Sequence, residues 1–248
     1  MNKHSLESYI EKYSLNGIIQ SVKWKNESEK KKLSTSAITD EKNVLVFVDL
    51  VNFSDLSEDC EIGVLDTPKL TKMLSVLGDS VNMTLNKTDD VITSLTFNDG
   101  STDVKFVTAD LSVIPTAPNL KKTPQFQVEI ELDKDFVDKF IRAKSSLPEV
   151  DTFTLMMNKK TKKLELVLGY SSLNSNRITL SVKTKDGKDT VDRNISFSAK
   201  YLKEILSANT DSTASIFSVS NDGLAVLKFS NADYNSTYYI VETKTSDQ

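Results

Sequence analysis

The stretch from Ser198 to Thr245 contains a short amphipathic helix followed by three strand-like runs. The apolar residues of this helix recur with a period of about 3.6 residues, which places them on one face: Tyr201, Leu202, Ile205 and Leu206. A matching unit begins 132 residues earlier, with Leu70, Met73 and Leu74 in the corresponding positions. A unit that appears twice, far apart in the chain, predicts duplicated domains rather than one large core.

The chain is predicted to divide into a first domain at 1–110, a connector at 111–124 and a second domain at 125–248. The connector region carries three of the five prolines and has no sustained hydrophobic period, which is typical of extended chain. Each domain is predicted to contain two helices separated by strands, which is an α+β class. The helices are expected at 3–14, 68–77, 134–146 and 198–209.

Strands are predicted where short apolar or alternating runs are bounded by turn residues. In the first domain they are Ile18–Trp24, Lys32–Ile38, Val44–Leu50, Ile62–Leu65, Val81–Lys87, Val91–Phe97 and Thr102–Thr108. In the second domain they are Phe126–Leu132, Thr152–Met157, Leu164–Gly169, Arg177–Lys183 and Thr190–Phe197, with three more after the last helix.

The composition argues against an enzyme. The chain has one histidine, His4, and one cysteine, Cys60, so a thiol nucleophile has no nearby base in the sequence. The sequence has no Cys/His cluster with metal-ligand spacing and no glycine-rich phosphate loop, so we expect no cofactor and no metal. A single cysteine and a polar, charged N-terminus favour a reducing, cytoplasmic location.

The helix sequence SAKYLKEIL and the closing run DYNSTYYIVETK resemble the DNA polymerase sliding clamps, including proliferating cell nuclear antigen and, above all, the clamps of T-even-type phages. The resemblance covers nearly the whole chain. It implies a clamp fold in which each domain has two helices packed on antiparallel sheets. It also implies a homotrimeric ring that encircles double-stranded DNA, loading by an ATP-dependent clamp loader, and a processivity role for the replicative DNA polymerase. No membrane partner is expected, and a phage-infected bacterial cell is the expected setting.

The charge distribution gives this resemblance a physical basis. The four helices with their flanking caps hold ten basic and seven acidic residues, which gives them +3 and leaves −7 on the rest of a chain of net charge −4. Basic helices that line a hole attract phosphates without reading bases. The residues expected to contact DNA are Lys12, Lys72, Lys139, Arg142, Lys200 and Lys203. Ordinary solvated helix faces are the alternative explanation of the same charges.

Two further sites follow from the resemblance. Ring closure is expected to pair the segments Asp103–Asp110 and Arg177–Lys183, with apolar contact from Phe106, Ile178 and Leu180. A groove for a short peptide of the polymerase or loader is expected beside the connector. Its residues are Val44, Val46, Ile114, Pro115, Leu120, Tyr239 and Val241. The same residues could instead only hold the connector in place.

The main alternative is a non-enzymatic structural or interaction protein with two β-rich domains, such as a virion component. The repeated helix with outward lysines favours the clamp, because a structural protein has no need to repeat it. An oligonucleotide-binding module is less favoured, because the strands lack interleaved aromatic and basic residues.

Overall fold

Four α-helices and sixteen β-strands make up the described part of this computed structural model, which covers residues 2–118, 120, 122–171 and 176–244. For residues 186–189 only the backbone is described. The chain forms two compact units. Unit 1 contains the chain up to Pro118 together with Ser230–Ser236. Unit 2 contains residues 119–229 and the chain from Thr237 onward.

Unit 1 contains two helices and seven strands within its described residues. The helices are α1 (Lys3–Ser14) and α2 (Thr67–Leu74). The strands are β1 (Val22–Glu27), β2 (Lys32–Ile38), β3 (Val44–Val51), β4 (Cys60–Val64), β5 (Asn82–Thr88), β6 (Val91–Asn98) and β7 (Asp103–Val107). A single 3₁₀ turn follows at Leu111–Val113. The strands pair antiparallel in the orders β3-β2-β1-β4 and β5-β6-β7.

Unit 2 begins with a strand and then repeats the same order. Its helices are α3 (Lys134–Ser146) and α4 (Ala199–Ala208). Its strands are β8 (Val128–Glu131), β9 (Thr152–Met157), β10 (Leu164–Leu168), β11 (Ile178–Ser181), β12 (Thr184–Asp189), β13 (Ile195–Ser198), β14 (Ala214–Val219), β15 (Leu224–Ser230) and β16 (Tyr234–Val241). They follow the orders β12-β8-β14-β15-β16 and β11-β10-β9-β13. Strand β16 begins in the segment that belongs to unit 1.

Local sequence explains where the helices begin. Each helix is preceded by a residue whose side-chain oxygen accepts a hydrogen bond from a backbone N–H of the first turn, which satisfies a group the helix itself leaves unpaired. These N-caps are Asn2, Asp66, Asp133 and Ser198. Pro68, where the second helix was predicted to begin, lies in the first turn of α2. Helix α2 ends at Leu74, earlier than the predicted Leu77.

Each unit has its own aromatic core. In unit 1 the rings of Tyr9 and Tyr13 on α1 meet Trp24 on β1 edge-on, at centroid distances of 5.8 and 6.4 Å, and all three are fully buried. In unit 2 Phe153 on β9 lies 5.7 Å from Phe140 on α3. Edge-to-face pairs of this kind stabilise a core beyond the area that they bury. Both cores lie between helices and a sheet.

Most predicted strands occur, with two exceptions. Strand β1 begins at Val22, because Ile18 and Ile19 belong to the turn that follows α1. In unit 2 the predicted strand Thr190–Phe197 is reduced to β13, and the polar strand β12 was not predicted. Its sequence has no apolar alternation, and it forms because Thr184 pairs with Ile130 on β8. Pairing partners, rather than local propensity, decide such a strand.

Candidate nucleic-acid interface

Helix α2 presents two cations to solvent in unit 1. Leu70 and Leu74 are fully buried, so the opposite side of the helix faces outward with Lys69 and Lys72 exposed. The two lysines are three residues apart and are therefore neighbours on one helix surface. Among the described residues neither ammonium forms an ion pair. The predicted Lys72 is therefore available to an anionic ligand, and Lys69, which the sequence did not single out, lies beside it.

Helix α1 corrects the prediction for Lys12. Only 3 % of this residue is exposed, and its Nζ lies 4.5 Å from the ring centroid of Tyr234. The Tyr234 hydroxyl in turn donates to the carbonyl of Ser5 at 2.9 Å. The ammonium therefore faces an aromatic ring rather than solvent, in a cation–π contact. Lys3, the other cation of α1, donates to the carbonyl of Leu77 at 2.6 Å.

Helix α3 carries the predicted Lys139 and Arg142 on its exposed side. The ammonium of Lys139 lies 2.7 Å from Asp135 one turn earlier, so part of its charge is neutralised locally. The guanidinium of Arg142 donates its Nε–H to the carbonyl of Asp138 at 3.2 Å, and the side chain is exposed. Lys144, in contrast, is buried and donates to the carbonyl of Pro148 at 2.9 Å.

Helix α4 packs beside α3 and adds two cations to the same unit. Lys200 is exposed and forms no ion pair among the described residues. Lys203 is half-buried, with Nζ 4.0 Å from the carboxylate of Glu204. Unit 2 thus brings four of the six predicted DNA-contacting residues onto one pair of helices. Lys134, exposed in the first turn of α3, is a further cation that the sequence did not single out.

The predicted peptide groove requires correction in unit 1. Val44 and Val46 are 1 % and 0 % exposed because the alternation of β3 turns them toward α1. Ile114 is also buried, at 3 % exposed. None of these three side chains offers surface to a peptide, and the expectation that they line an open groove is wrong. Pro115 is exposed, as expected.

A different cleft occupies the outer face of this sheet. It has a volume of about 390 Å³ and lies between β1, β2, β3 and the start of the connector. Phe47, half-buried, is its aromatic residue, and Pro115 borders it. Lys23 donates to the hydroxyl of Thr116 at 3.0 Å and so ties the connector across the sheet. The alternation of β3 could have identified Phe47, since it lies on the face opposite Val46.

In unit 2 the remaining predicted groove residues are accessible to different degrees. Leu120 is 41 % exposed and Val241 is 48 % exposed, while Tyr239 is half-buried. Tyr239 and Val241 lie on the same face of β16, because they are two residues apart on a strand.

The predicted ring-closing segments both contain edge strands. Strand β7 lies at the edge of β5-β6-β7, and β11 lies at the edge of β11-β10-β9-β13. Ile178 and Leu180 are half-buried. Phe106 is only 4 % exposed because it faces the core of unit 1 under α2, so it has little surface for a second copy. The expected contact from Phe106 is therefore corrected.

Hydrogen bonding fixes the direction of the free backbone groups on β7. The N–H of Thr108 donates to the carbonyl of Thr93 on β6 at 3.1 Å. Hydrogen-bonded and non-hydrogen-bonded pairs alternate along an antiparallel ladder. Lys105 lies opposite Thr96, three positions along the ladder from the hydrogen-bonded pair of Thr108 and Thr93, so it belongs to a non-hydrogen-bonded pair. Its N–H therefore points away from β6, toward the open side of the edge.

The surroundings of Cys60 do not activate a thiolate. Its thiol is half-buried, and desolvation raises its pKa to about 11, with the neighbouring Glu58 carboxylate adding to the shift. The thiol is therefore protonated at neutral pH. In the part of the chain that the structure describes, no three His, Cys, Asp or Glu side chains form a group suited to a metal ion. No helix within the described ranges is long and apolar enough to cross a membrane.

Solved structures of sliding-clamp proteins share this fold, and two of them serve as examples. One is the proliferating cell nuclear antigen (PCNA) of A. fulgidus, with the C-terminal region of FEN-1 bound to it. It matches with a TM-score of 0.74 and 16 % sequence identity over 99 % of this chain and 98 % of that chain. The other is PCNA from Entamoeba histolytica, with a TM-score of 0.73 and 14 % identity over 98 % of this chain and 96 % of that chain.

No protein-family model matches the sequence, and no curated protein matches it either. The α+β clamp fold that the resemblance implied is confirmed by the two structural matches.

Proposed function

We propose that this chain is a DNA sliding clamp. Three copies close into a ring around double-stranded DNA, and the ring tethers the replicative DNA polymerase as a processivity factor. The chain performs no chemistry of its own, and an ATP-dependent loader places it on DNA. A phage origin, with an infected bacterial cell as the site of action, stays a prediction.

The observation that supports this proposal most strongly is the match to PCNA over nearly the whole of both chains. The exposed cations of the helices add a physical argument. Lys72, Arg142 and Lys200 make no ion pair with a carboxylate among the described residues, and Lys69 lies beside Lys72. Such side chains neutralise phosphates without reading bases, so the protein can slide. Lys139 and Lys203 contribute less, because Asp135 and Glu204 already lie next to them.

A topological test separates a ring from a protein that simply adheres to DNA. The protein is loaded onto nicked circular plasmid with its loader and then washed at high salt. Salt screens phosphate contacts but cannot break a topological link. We expect the protein to stay on the circle and to be lost once a restriction enzyme linearises it. Equal retention on circular and linear DNA, or no salt-resistant retention, would reject the clamp and leave the structural-protein alternative.

Ring closure is proposed to pair β7 of one copy with β11 of the next. A head-to-tail contact joins two different surfaces, and pairing of two edge strands covers backbone groups that would otherwise stay open. Because the Lys105 N–H points outward, Lys105→Pro removes one of those donors without disturbing the pairing with β6. Lys105→Ala keeps the donor and serves as the control.

Sedimentation measures this effect. Wild type and Lys105→Ala are expected at three times the chain mass of 27.7 kDa. Lys105→Pro is expected to dissociate at concentrations where the control stays trimeric. A proline variant that is as trimeric as the control would place the interface elsewhere.

Partner docking is proposed at two apolar surfaces, tested one at a time. The first is the cleft of unit 1 at Phe47 and Pro115, and the second is the exposed face of β16 at Tyr239 and Val241 with Leu120 on the connector. Short peptides anchor through a few apolar or aromatic side chains. Phe47→Ala and Tyr239→Ala should each weaken binding of a polymerase C-terminal peptide while the trimer mass stays unchanged. A variant that binds the peptide like wild type excludes its surface.

A further inference from the structure

The turn between β9 and β10 concentrates positive charge. Within five consecutive residues of unit 2 it carries four exposed lysines: Lys159, Lys160, Lys162 and Lys163. The whole chain has a net charge of −4, so a local group of four cations runs against the overall balance. No carboxylate in the described part of the chain forms an ion pair with any of them. Four like charges in so short a segment repel one another and do not stabilise the turn itself.

Asn158 holds this turn in one conformation. Its side-chain oxygen accepts from the backbone N–H groups of Lys160 and Thr161 at 2.9 and 3.0 Å. Its side-chain amide donates to the carboxylate of Glu165 at 2.8 Å. The ladder between β9 and β10 continues into the turn, where the Asn158 N–H donates to the Lys163 carbonyl at 2.9 Å. The lysines therefore project from an ordered hairpin, and less backbone order has to be gained on binding.

Two structural explanations for the lysines do not apply. Lysines often protect edge strands from unwanted pairing. Strands β9 and β10, however, are the two inner strands of β11-β10-β9-β13 and are paired on both sides. Nor do the lysines solubilise a large apolar patch, because the hairpin tip from Asn158 to Lys163 contains no apolar residue. The turn needs Asn158 for its geometry, but it does not need four ammonium groups.

The position of the hairpin connects it with helix α3 of the same unit. Glu165 lies just after the hairpin tip and pairs with Ser181 on β11. Two residues after Ser181, the ammonium of Lys183 forms an ion pair with Asp133, the N-cap of α3. The hairpin tip thus leaves the sheet at the end where α3 begins. The hairpin lysines therefore lie at the same end of unit 2 as Lys134 in the first turn of α3, whereas α4 begins at the opposite end, because Ser198 pairs with Thr152.

We propose that the Lys159–Lys163 hairpin is a second DNA-contacting element, which binds backbone phosphates of the duplex beyond the part that the helices contact. This inference rests on the proposed function. The lysines act as point charges and read no sequence, so their contribution is electrostatic and depends on salt.

The test compares two quadruple variants with the same change in net charge. In the hairpin variant, K159Q/K160Q/K162Q/K163Q, the four ammonium groups are removed and the side-chain length is nearly kept. The control, K30Q/K31Q/K42Q/K228Q, removes four exposed lysines elsewhere. Lys31 and Lys42 have positive φ angles, as Lys162 does. The control therefore also places glutamine in the left-handed backbone conformation, as the hairpin variant does at position 162.

The measurement is the affinity for a short fluorescein-labelled duplex, by anisotropy, across a series of KCl concentrations. Each phosphate contact contributes about 0.9 to the slope of log K against log salt, so the slope of the hairpin variant should be shallower by up to about 3.6. The control should keep the wild-type slope. A hairpin variant with the slope of the control overturns the proposal.

Three further outcomes are distinguishable. If wild type does not bind the duplex even at low salt, the hairpin proposal is rejected, and the topological test on circular DNA decides separately on the clamp. If K72A/R142A/K200A lowers the slope and the hairpin variant does not, the clamp stands and the hairpin proposal fails. Vesicles of phosphatidylglycerol and phosphatidylcholine, and poly-glutamate, serve as other polyanions. If the hairpin variant loses binding to the vesicles or to poly-glutamate but keeps its binding to DNA, the proposal is also rejected.

Discussion

The two helix pairs differ in where they place their lysines, although they share one order of elements. Helices α2 and α4 bury equivalent apolar residues, Leu70 and Leu74 in one and Leu202 and Leu206 in the other. Their exposed cations are not equivalent. Both helices keep the apolar face, which each unit needs to close its core, while their charged faces differ.

Helices α1 and α3 each bury a lysine of their last turn. Lys12 meets the ring of Tyr234, and Lys144 donates to the carbonyl of Pro148 just beyond the end of its helix. A cation at a helix C-terminus also interacts favourably with the helix dipole. A buried last-turn lysine therefore already has a local role. Lys72 also lies in a last turn, but it is exposed, and like Arg142 and Lys200 it has no carboxylate partner among the described residues.

The largest effect is expected for DNA binding, and it tests this distinction directly. K72A/R142A/K200A should reduce the salt-dependent slope of duplex affinity by about three, because each cation that binds a phosphate contributes about one to the slope. Lys144→Gln should leave the slope unchanged, because its ammonium serves its own helix. Anisotropy with a short duplex measures both. An equal reduction of the slope in the two variants would break the comparison between solvent-facing and buried cations.

The next effect concerns stability and compares a buried lysine with an exposed one. Lys12→Ala removes a desolvated cation–π interaction and should lower the free energy of unfolding by about 2 kcal/mol. Lys12→Met keeps the apolar stem and should recover part of this stability. Lys72→Ala, on the surface, should stay within about 0.5 kcal/mol of wild type. Urea unfolding gives all three values. A Lys12→Ala protein as stable as Lys72→Ala would mean that the interaction with Tyr234 contributes nothing.

Apolar periodicity was enough to predict the order of elements in unit 1 and most of that order in unit 2. It places Leu70 and Leu202 on buried faces without knowledge of their partners, because a helix of this kind has one side to bury. The unpredicted strand β12 marks the limit of this reasoning. Its polar sequence becomes a strand only through pairing with β8, which is distant in the chain.

The candidate site was less predictable than the fold. Helical periodicity shows which side of a helix is polar, but it does not show what covers that side. Lys12 is buried by Tyr234, more than two hundred residues away in sequence, and no local pattern contains that interaction. Val44 and Val46 were assigned to a groove by resemblance, while the alternation of β3 turns them toward α1. Position along a strand can be read from the sequence, and it places Phe47 on the opposite face from Val46.

The smallest effect is a pH dependence that compares one carboxylate in each unit. In unit 1 the pKa of Asp99 is lowered, because its carboxylate accepts from the backbone N–H of Gly78 and also from Ser101 and Thr102. In unit 2 the pKa of Asp133 is lowered, first by the ammonium of Lys183 and then by the N–H of Phe136. A lowered folded-state pKa gives stability that is present above the unfolded value, about 3.9, and is lost as the pH falls through the folded value.

Asp99→Asn and Asp133→Asn should therefore both be less stable than wild type at neutral pH, and both differences should shrink as the pH falls below about 4. Salt distinguishes them. The Lys183 ion pair is largely exposed, so high salt should reduce the effect of Asp133→Asn. The backbone amides that hold Asp99 lie within hydrogen-bond distance, so the effect of Asp99→Asn should persist. Urea titrations from pH 2 to 7, at low and high salt, measure both differences. If the two variants respond to salt alike, the Lys183 ammonium is not the main cause of the Asp133 shift, and the two units hold their carboxylates in the same way.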